Sequence, residues 1–332
     1  MMKVRFLTAA EVRAALPMTD AIAGMKMAYA ALSTGQTDMP LRSQVNVAEQ
    51  QATTLVMPAY LNPNGNPSLA VKVVSVFPGN VSRGEPVIYA LVLVLDAASG
   101  RPLCIMEGAS LTAIRTGAAS GAATDVLACP EAAVAAIFGS GVQARTQLEA
   151  ICTVRRIREV RVFSLDEVGA GQFVRDMEGR SPIPDALYLA SSADEAVQGA
   201  DVVCTATTSA TPVFNGRSLT PGAHVNGVGS YLPTMQEVDA ETVQRSLVVV
   251  DSVTAVLAEA GDLIQPIRQG QITPDHIHAE LGQIIAGRKP GRTSPAQITF
   301  FKSVGIAVQD AAAAHIALEN AEKLGLGTEI EM

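Results

Sequence analysis

The sequence predicts an α/β protein in which a Rossmann-type, doubly wound parallel sheet is inserted in a discontinuous α+β domain. Three observations support this fold class. A glycine-rich turn separates an apolar run from a helical pattern near the middle of the chain, and strands alternate with helices after it. The first third has short strands between turn residues, and an alanine-rich helix near the end is expected to pack on that first part.

The first third begins with helical patterns and then changes to short strands. Thr8 and Glu11 have the spacing of a capping box, and a second helical segment begins at Thr19. Runs of β-branched residues between turns rich in Pro, Gly and Asn then indicate an antiparallel or mixed sheet. The predicted strands are Ser43–Val47, Thr53–Ala59, Ser68–Val76, Val87–Asp96 and Leu103–Glu107, of which the last two form a hairpin.

The remaining chain alternates between the two kinds of element. It becomes rich in Ala and Gly and helical from Leu111, and later helices are expected over Ala170–Met177 and from Ser192. A polar loop is predicted over Gln283–Ser294, and Thr299–Leu324 contains a long helix from about Ile306. The predicted strands are the run ending at Phe138, Glu159–Phe163, Leu187–Ala190, Asp201–Thr207, Ala223–Val228 and Leu247–Asp251.

Composition excludes several classes of protein. A length of 332 residues suggests about two domains, and the net charge of −8 gives no basic footprint for nucleic acid. Four scattered cysteines without C-x-x-C spacing fit a reducing cytosol. The longest apolar run, Val87–Leu95, is less than half of the ~20 residues that span a bilayer as a helix, and no signal-peptide pattern follows Met1. We therefore expect a soluble, cytoplasmic protein with neither a nucleic-acid nor a membrane partner.

The glycine-rich turn has the pattern of a dinucleotide-binding site. The residues from Gly139 to Ala144 read G-S-G-V-Q-A and match G-x-G-x-x-G/A between a strand and a helix. Gly139 permits the tight turn, Gly141 lets the backbone approach a pyrophosphate, and Ala144 allows close packing of helix on strand. The N–H groups of the helix N-terminus favour an anion there. The turn therefore predicts a bound NAD(P).

The choice between NADH and NADPH is left open by the residues after the second strand. An acidic side chain that holds the ribose 2′-hydroxyl is expected about 20 residues after the glycines, where this chain has Ser164, Leu165 and Asp166. Ser164 admits a 2′-phosphate, whereas Leu165 supplies no arginine to bind one. Asp166 serves NAD if the loop turns back.

Three basic residues are candidates for substrate binding. Lys72 lies in a strand that is apolar on both faces, where burial lowers the pKa of a lysine toward the range useful for proton transfer. Arg42 and Arg115 suit a carboxylate, because the guanidinium fork binds it bidentately. Each arginine alone is more often a surface residue, and their convergence does not follow from spacing. The alternative for Lys72 is the edge of a sheet, with its amine in water.

Histidines give no pattern of a metal site. His276 and His278 lack a third ligand at a suitable spacing, and no G-x-S-x-G nucleophile motif is present. The sequence therefore predicts no metal. The basic cluster Arg155–Arg158 is interpreted as a solvated helix end, where cations complement the helix dipole.

Seven motifs in this order resemble the ornithine cyclodeaminase/mu-crystallin family. They extend over nearly the whole chain, which makes the resemblance specific. The motifs are Pro40–Arg42, Ala70–Lys72, Thr112–Ser120, Gly139–Ala144, Glu259–Asp262, Glu280–Gly282 and Phe301–Gly305.

The resemblance implies a nucleotide domain inserted between two parts of a substrate-binding and dimerisation domain. The corresponding ranges are 1–115 with 305–332 for the substrate-binding and dimerisation domain, and 116–304 for the NAD(P)-binding domain. It also implies a homodimer whose sheets pair. The implied chemistry is NAD(P)-linked and occurs at a carbon that bears an amine or imine next to a carboxylate.

The same resemblance assigns roles to individual residues. It makes Lys72 the catalytic group nearest the reacting nitrogen, with Arg42 and Arg115 as ligands of the substrate carboxylate. The residues that it assigns to the cofactor are Arg115, Thr116, Gly139, Gly141, Val142, Gln143, Ser164, Thr205, Val228, Gly229, Ser230 and Ser303.

One segment departs from the cyclodeaminase pattern. Where those enzymes resemble Asp-x-Pro-Gly-Lys, this chain has Tyr231 at the Asp position and Met235 at the Lys position. A neutral phenol cannot replace a carboxylate base. We therefore expect NAD(P)H-dependent reduction of a cyclic imino acid, such as Δ1-pyrroline-2-carboxylate, to an amino acid such as L-proline. The alternatives are cyclodeamination of ornithine, an alanine dehydrogenase reaction, and small-molecule binding without turnover, as in mu-crystallin.

Overall fold

The computed structural model describes residues 2–332 and divides the chain into two compact units. The first unit contains the described residues up to Arg115 together with Ala307–Met332, and the second contains Thr116–Ile306. The first unit is therefore discontinuous in sequence. The strands are β1 Lys3–Leu7, β2 Thr37–Asp38, β3 Ser43–Val47, β4 Ala52–Leu61, β5 Ser68–Val76, β6 Ile88–Leu95, β7 Pro102–Glu107, β8 Val134–Phe138, β9 Glu159–Phe163, β10 Leu187–Leu189, β11 Val202–Thr205, β12 His224–Gly227, β13 Ser246–Val250, β14 Ile277–Glu280, β15 Ile298–Lys302 and β16 Thr328–Glu331.

The α-helices lie between and around these strands. They are α1 Ala9–Ala15, α2 Met18–Ser33, α3 Gly108–Leu127, α4 Val142–Val154, α5 Glu167–Met177, α6 Ala193–Val197, α7 Ala240–Arg245, α8 Val253–Glu259, α9 Gly261–Arg268, α10 Leu281–Ile285 and α11 Ala307–Leu324.

The first unit is a mixed sheet covered on one face by α11. Its strand order is β16-β1-β7-β6-β5-β4-β2, with β3 also paired to β4, and only the β1–β7 pair is parallel. Helix α11 packs on β4, β5 and β6 and against α1 and α2. Because consecutive strand residues point to opposite faces, one face of this sheet is buried by α11 and the other is left uncovered within the unit.

Alanines in α11 allow this close packing. Ala312, Ala313 and Ala314 are fully buried, and small side chains let a helix approach its neighbours. Gly24 of α2 lies against Ile316 of α11, where an added β-carbon would be only 2.4 Å from the isoleucine Cδ1. The C-terminal helix is thus an integral part of the first unit.

The second unit is a parallel sheet of the doubly wound type. Its order is β10-β9-β8-β11-β12-β15-β13-β14, and every pair is parallel. The order reverses between β8 and β11, and ligands of such sheets bind beyond the strand ends at this switch point. The glycine-rich turn directly follows β8 and therefore lies at that position. The predicted fold class is confirmed.

Local predictions are confirmed where the pattern is strong and wrong where it is weak. The bounds of β3, β5 and β9 are as predicted, and Thr8 forms the expected capping box with Glu11. The terminal strands β1 and β16 were not predicted. The predicted Gln283–Ser294 loop begins inside α10, and strand β15 was not predicted. The long helix expected from about Ile306 is α11, which begins at Ala307.

Arg155 corrects the interpretation of the basic cluster. Arg156 and Arg158 are exposed as expected, but the guanidinium of Arg155 bonds to backbone oxygens of Thr124, Asp125, Ala128 and Cys129 at the end of α3. The last carbonyls of a helix lack the full set of intrahelical partners, and Arg155 supplies additional donors to them. Arg155 therefore caps a neighbouring helix, instead of being solvated at the end of its own.

The described residues contain no helix that is both long enough and apolar enough to cross a membrane.

Helices α3 and α4 approach closely at Gly117, which gives a stability prediction. A β-carbon on Gly117 would lie 2.4 Å from the backbone oxygen of Thr146, so Gly117→Ala must displace backbone. We expect it to lower the free energy of unfolding by about 2 kcal/mol. In the control Gly171→Ala, within α5, the nearest atom is the mobile Arg175 Nη1 at 3.4 Å, and we expect stabilisation by about 0.5–1 kcal/mol. Thermal melts of the two variants should shift in opposite directions, and shifts of the same sign would contradict the packing argument.

Candidate functional site

Lys72 is buried in the first unit because of its register in β5. It lies in a row of cross-strand neighbours with Met57, Val92 and Met106, which all point to the face covered by α11. The Lys72 side chain is only 3% exposed. A buried ammonium is stable only with a partner, and the covering helix provides it.

Asp310 of α11 binds two of the predicted site residues at once. Its Oδ2 lies 2.7 Å from Lys72 Nζ and its Oδ1 lies 2.9 Å from Arg115 Nε. All three side chains are nearly inaccessible to solvent, and all belong to the first unit. The structure thus brings Lys72 and Arg115 together through a carboxylate that the sequence analysis did not identify.

The pKa values of this cluster are set by burial and by the opposing charges. Burial lowers the pKa of Lys72 to about 8; Asp310 opposes this shift, while Arg115 and Arg42 act in the same direction as burial. Burial raises the pKa of Asp310, but Arg115 and Lys72 outweigh it, so that the pKa lies below its ordinary value. Asp310 is therefore ionised at neutral pH, and Lys72 can exchange a proton in the same range.

Arg115 is held in place by more than Asp310. Its Nη1 donates to Gln309 Oε1 at 2.9 Å, and Gln309 in turn donates to the hydroxyl of the fully buried Tyr29. The other terminal nitrogen, Nη2, has no hydrogen-bond partner among residues 2–332. Arg42, just before β3, is half-buried and close enough to Lys72 to affect its pKa. The three predicted basic residues are therefore neighbours in the first unit.

The glycine-rich turn of the second unit has the geometry that a pyrophosphate requires. Gly139 has φ of +103°, and a β-carbon there would lie 2.6 Å from the backbone oxygen of Ala206. At Gly141, the N-cap of α4, an added β-carbon would meet no atom within 4 Å. Val142 is 62% exposed, and the buried Gln143 Oε1 has no hydrogen-bond partner among the described residues. Open space beside Gly141 and an unpartnered polar atom fit a bound dinucleotide.

The end of β9 places Ser164 and Asp166 next to that turn. Ser140 of the turn donates to Ser164 Oγ at 3.4 Å, and Ser164 Oγ accepts from the backbone N–H of Asp166 at 3.2 Å. The Asp166 side chain caps α5 by accepting from the N–H of Gly169 at 3.0 Å. Leu165 between them is 94% exposed.

A buried glutamate holds the loops that follow β11 and β12. Glu237 accepts from the hydroxyl of Thr205 at 3.0 Å and from both the N–H and the hydroxyl of Thr207, at 2.6 and 2.8 Å. It also accepts from the N–H groups of Gly229 and Ser230, at 2.6 and 3.1 Å. Burial raises the pKa of Glu237, and Lys302 opposes that shift. Five donors directed at its two oxygens favour the ionised form.

This glutamate is the centre of a larger buried network. Asp262 accepts from the backbone N–H of Glu237 at 2.6 Å, and its other oxygen lies 2.9 Å from Lys302 Nζ. Val228 is 8% exposed, and the main chain at Gly229 is so close to Thr207 that a β-carbon would lie 2.0 Å from the threonine oxygen. The structure therefore gathers Thr205 and residues 228–230 at one edge of the sheet.

Two further predicted cofactor residues, Ser303 and Thr116, are buried. The hydroxyl of Ser303 donates to Asp251 at 2.9 Å, and the same carboxylate accepts from the N–H groups of Val304 and Gly305. Thr116 is buried within α3, directly after Arg115. A direct role in cofactor binding remains a prediction for both.

Four site residues were missed by sequence reasoning. The sequence around Asp310 has the pattern of an alanine-rich helix, and Asp262 and Lys302 lie within the motifs of the family resemblance, which gives neither of them a role. Glu237 had no motif at all. The available signal was that charged residues stand among apolar neighbours in Phe300–Val304 and Ala307–Ala314, since a charge in such a setting requires a buried partner.

Comparison with known proteins gives a consistent result over the whole chain. The model of the ornithine cyclodeaminase/mu-crystallin family matches residues 2–325. A Δ1-pyrroline-2-carboxylate reductase of Bacillus cereus is 40% identical over 326 residues, which cover 98% of this chain and 99% of that protein.

Two solved structures have the same fold. The Thermococcus litoralis Δ1-pyrroline-2-carboxylate reductase in complex with NADH and L-proline has a TM-score of 0.92 and 41% identity, and the match covers 98% of this chain and 100% of that one. An archaeal alanine dehydrogenase dimer with bound NAD has a TM-score of 0.91 and 33% identity, with full coverage of both chains. The chain described here belongs to the ornithine cyclodeaminase/mu-crystallin family.

Proposed function

We propose that this protein reduces the cyclic imino acid Δ1-pyrroline-2-carboxylate to L-proline with NAD(P)H. The observation that carries the proposal is the buried Lys72–Asp310–Arg115 cluster, in a chain about 40% identical to reductases of that substrate. The cluster combines a proton donor with a cation for a carboxylate. A cyclic imino acid has the complementary groups: an imine nitrogen that accepts the proton and, on the adjacent carbon, a carboxylate that binds the cation.

The first unit binds and orients the substrate. Arg42 and the free Nη2 of Arg115 bind the carboxylate, which fixes the position of the neighbouring imine carbon. Asp310 keeps Arg115 and Lys72 at a fixed spacing. Positioning is the main contribution of these residues to the rate.

Lys72 controls the proton on the substrate nitrogen. A protonated imine is a better electrophile than a neutral one, and an ammonium with a pKa of about 8 can donate at neutral pH. The second unit binds the dinucleotide at Gly139–Gln143 and at the loops held by Glu237. When bound, the reduced nicotinamide supplies the hydride.

Reductive amination of pyruvate is the second candidate. It is favoured by the likeness to the archaeal alanine dehydrogenase, and it uses the same cations for the carboxylate. Cyclodeamination of ornithine is less favoured, because Tyr231 and Met235 replace the Asp and Lys expected there. Tyr231 is 43% exposed.

The protein also has a surface suited to a homodimer. On the face of the first sheet opposite α11, Val73 pairs with Leu91 across β5 and β6, and they are 41% and 56% exposed. Val45 and Tyr89 lie on the same face and are 58% and 52% exposed. A second copy of this chain is the proposed occupant, because the similar archaeal alanine dehydrogenase is a dimer.

The cytoplasm is the proposed location, since all four cysteines are unpaired.

Substrate choice is tested by oxidation of NADH and NADPH with two carbonyl-derived substrates. We expect rapid loss of absorbance at the reduced-nicotinamide band with Δ1-pyrroline-2-carboxylate alone. Pyruvate plus ammonia should react at least about tenfold more slowly, because a tenfold preference needs only about 1.4 kcal/mol of selective binding. Faster oxidation with pyruvate and ammonia would instead identify an alanine dehydrogenase. Ammonia release from ornithine with NAD would support cyclodeamination.

The role of Lys72 gives a pH prediction. Its protonated form is the donor, so kcat/KM for reduction should fall as pH rises above about 8. Asp310 raises the pKa of Lys72, and its neutralisation in Asp310→Asn should move this fall to lower pH. The imine of the free substrate titrates identically in the assays of the wild type and of Asp310→Asn. A difference between the two pH profiles therefore reports the pKa of Lys72.

Two controls accompany that measurement. Lys72→Ala should lose most turnover while NADH binding by the second unit is unchanged. Both variants must melt cooperatively, as judged by circular dichroism. An unshifted pH profile in a folded Asp310→Asn protein, or near-normal turnover of Lys72→Ala, would reject the proposed proton donor.

The dimer is tested by a charge on the exposed sheet face. Leu91→Asp should convert the protein to a monomer in light scattering, since two buried carboxylates would face each other across the interface. The control Leu324→Asp, at the end of α11, adds the same charge to a residue that is 60% exposed, and should leave the dimer intact. A dimeric Leu91→Asp protein would place the interface elsewhere.

A further inference from the structure

We propose that Asp166 makes this protein selective for NADH over NADPH. The inference rests on the proposed function, because it concerns the dinucleotide site of the proposed reductase. The ribose nearest adenine is recognised in such folds at the carboxyl end of the second strand. In this sheet that strand is β9, and the residues after it are Ser164, Leu165 and Asp166.

Asp166 is fixed beside the glycine-rich turn. One oxygen, Oδ1, accepts from the Gly169 N–H at 3.0 Å as the cap of α5. A β-carbon on Gly169 would lie 2.2 Å from Asp166 Oδ2 and 3.3 Å from Ser140 Oγ, so both groups border the same small space. The Ser140–Ser164 hydrogen bond joins the turn to the end of β9. The carboxylate therefore has a defined position although it is exposed.

The second carboxylate oxygen is available to a ligand. Asp166 Oδ2 forms neither a hydrogen bond nor an ion pair with residues 2–332. An oxygen of this kind accepts a hydrogen bond from a ribose 2′-hydroxyl, as the acidic residue of a dinucleotide fold does. Ser164 occupies the usual acidic position, and its hydroxyl oxygen is engaged by Ser140 and by the N–H of Asp166. Asp166, two residues after Ser164, therefore accepts the hydrogen bond from the ribose 2′-hydroxyl.

The surroundings do not suit a 2′-phosphate. The segment 164–169 reads S-L-D-E-V-G, which contains two acids and no base. Leu165, at the position where an arginine could bind the phosphate, is 94% exposed and apolar. Arg145 of α4 is paired with Asp176 at 2.9 Å and lies over the ring of Phe173.

Electrostatic repulsion sets the size of the effect. A 2′-phosphate carries nearly two negative charges, which the Asp166 carboxylate repels at short distance even in a water-like dielectric. NADPH also lacks the hydroxyl that would donate to Oδ2. We expect NADH to bind at least about tenfold more tightly than NADPH.

Equilibrium binding tests this without any turnover. NADH and NADPH are titrated separately into the purified wild-type protein, and dissociation constants are obtained from nicotinamide fluorescence. Asp166→Asn removes the charge but keeps a good helix cap. The dissociation constant of NADPH divided by that of NADH should therefore fall toward one in this variant. Adding Leu165→Arg to Asp166→Asn should reverse the preference, because it supplies a cation for the phosphate.

A matched control separates Asp166 from general charge. Glu167→Gln removes the adjacent acid at the first position of α5 and should change the ratio less than Asp166→Asn. An equal effect of Glu167→Gln, or equal affinity of the wild type for both dinucleotides, would overturn the role of Asp166. Either result would leave the proposed imine reduction intact, since that is measured separately. Failure of both dinucleotides to bind would reject the proposed cofactor site as well.

Discussion

The bond between Asp310 and Lys72 is the constraint on which the first unit depends. A lysine in the middle of a sheet, covered by a helix, is costly unless its charge is compensated. In this fold the compensating acid is Asp310 of α11, the helix that packs on β4, β5 and β6. The return of the C-terminal segment to the first unit therefore supplies the partner of Lys72.

Such a cluster is retained at a cost to stability. Buried ion pairs are often replaceable by apolar residues with no loss of stability, whereas removal of one partner is strongly destabilising. One carboxylate and two cations also leave excess positive charge in a dry environment. Burial lowers the pKa of Lys72, Asp310 opposes that shift, and Arg115 and Arg42 add smaller contributions in the direction of burial. The remaining positive charge suits the anionic substrate proposed above. The arrangement is therefore better explained by chemistry than by folding.

The second unit solves a related problem with a carboxylate as acceptor. Loops that follow β11 and β12 have no regular partners for their N–H groups, and the buried Glu237 accepts from three of them. Lys302 is paired with Asp262, and its charge opposes the rise that burial causes in the pKa of Glu237. Hydrogen bonds to a buried, rigid acceptor fix the conformation of these loops, so that their remaining groups are already in position for a ligand. This is the preorganisation that a bound cofactor requires.

Local order could be predicted from the sequence, but long-range partners could not. A run of β-branched residues between turn residues defines β5, and the spacing of glycines defines the turn after β8, because both signals lie within a few residues. Asp310 lies 195 residues from Arg115, and no local pattern specifies which acid faces which base. The strand β15 was missed for a different reason: it is buried on both faces, so it has no alternation. Lys302 at the end of β15 indicates a buried ion pair, because a fully buried lysine requires an acidic partner. Charged residues inside apolar runs therefore predict that a long-range ion pair exists, although they do not identify its partner.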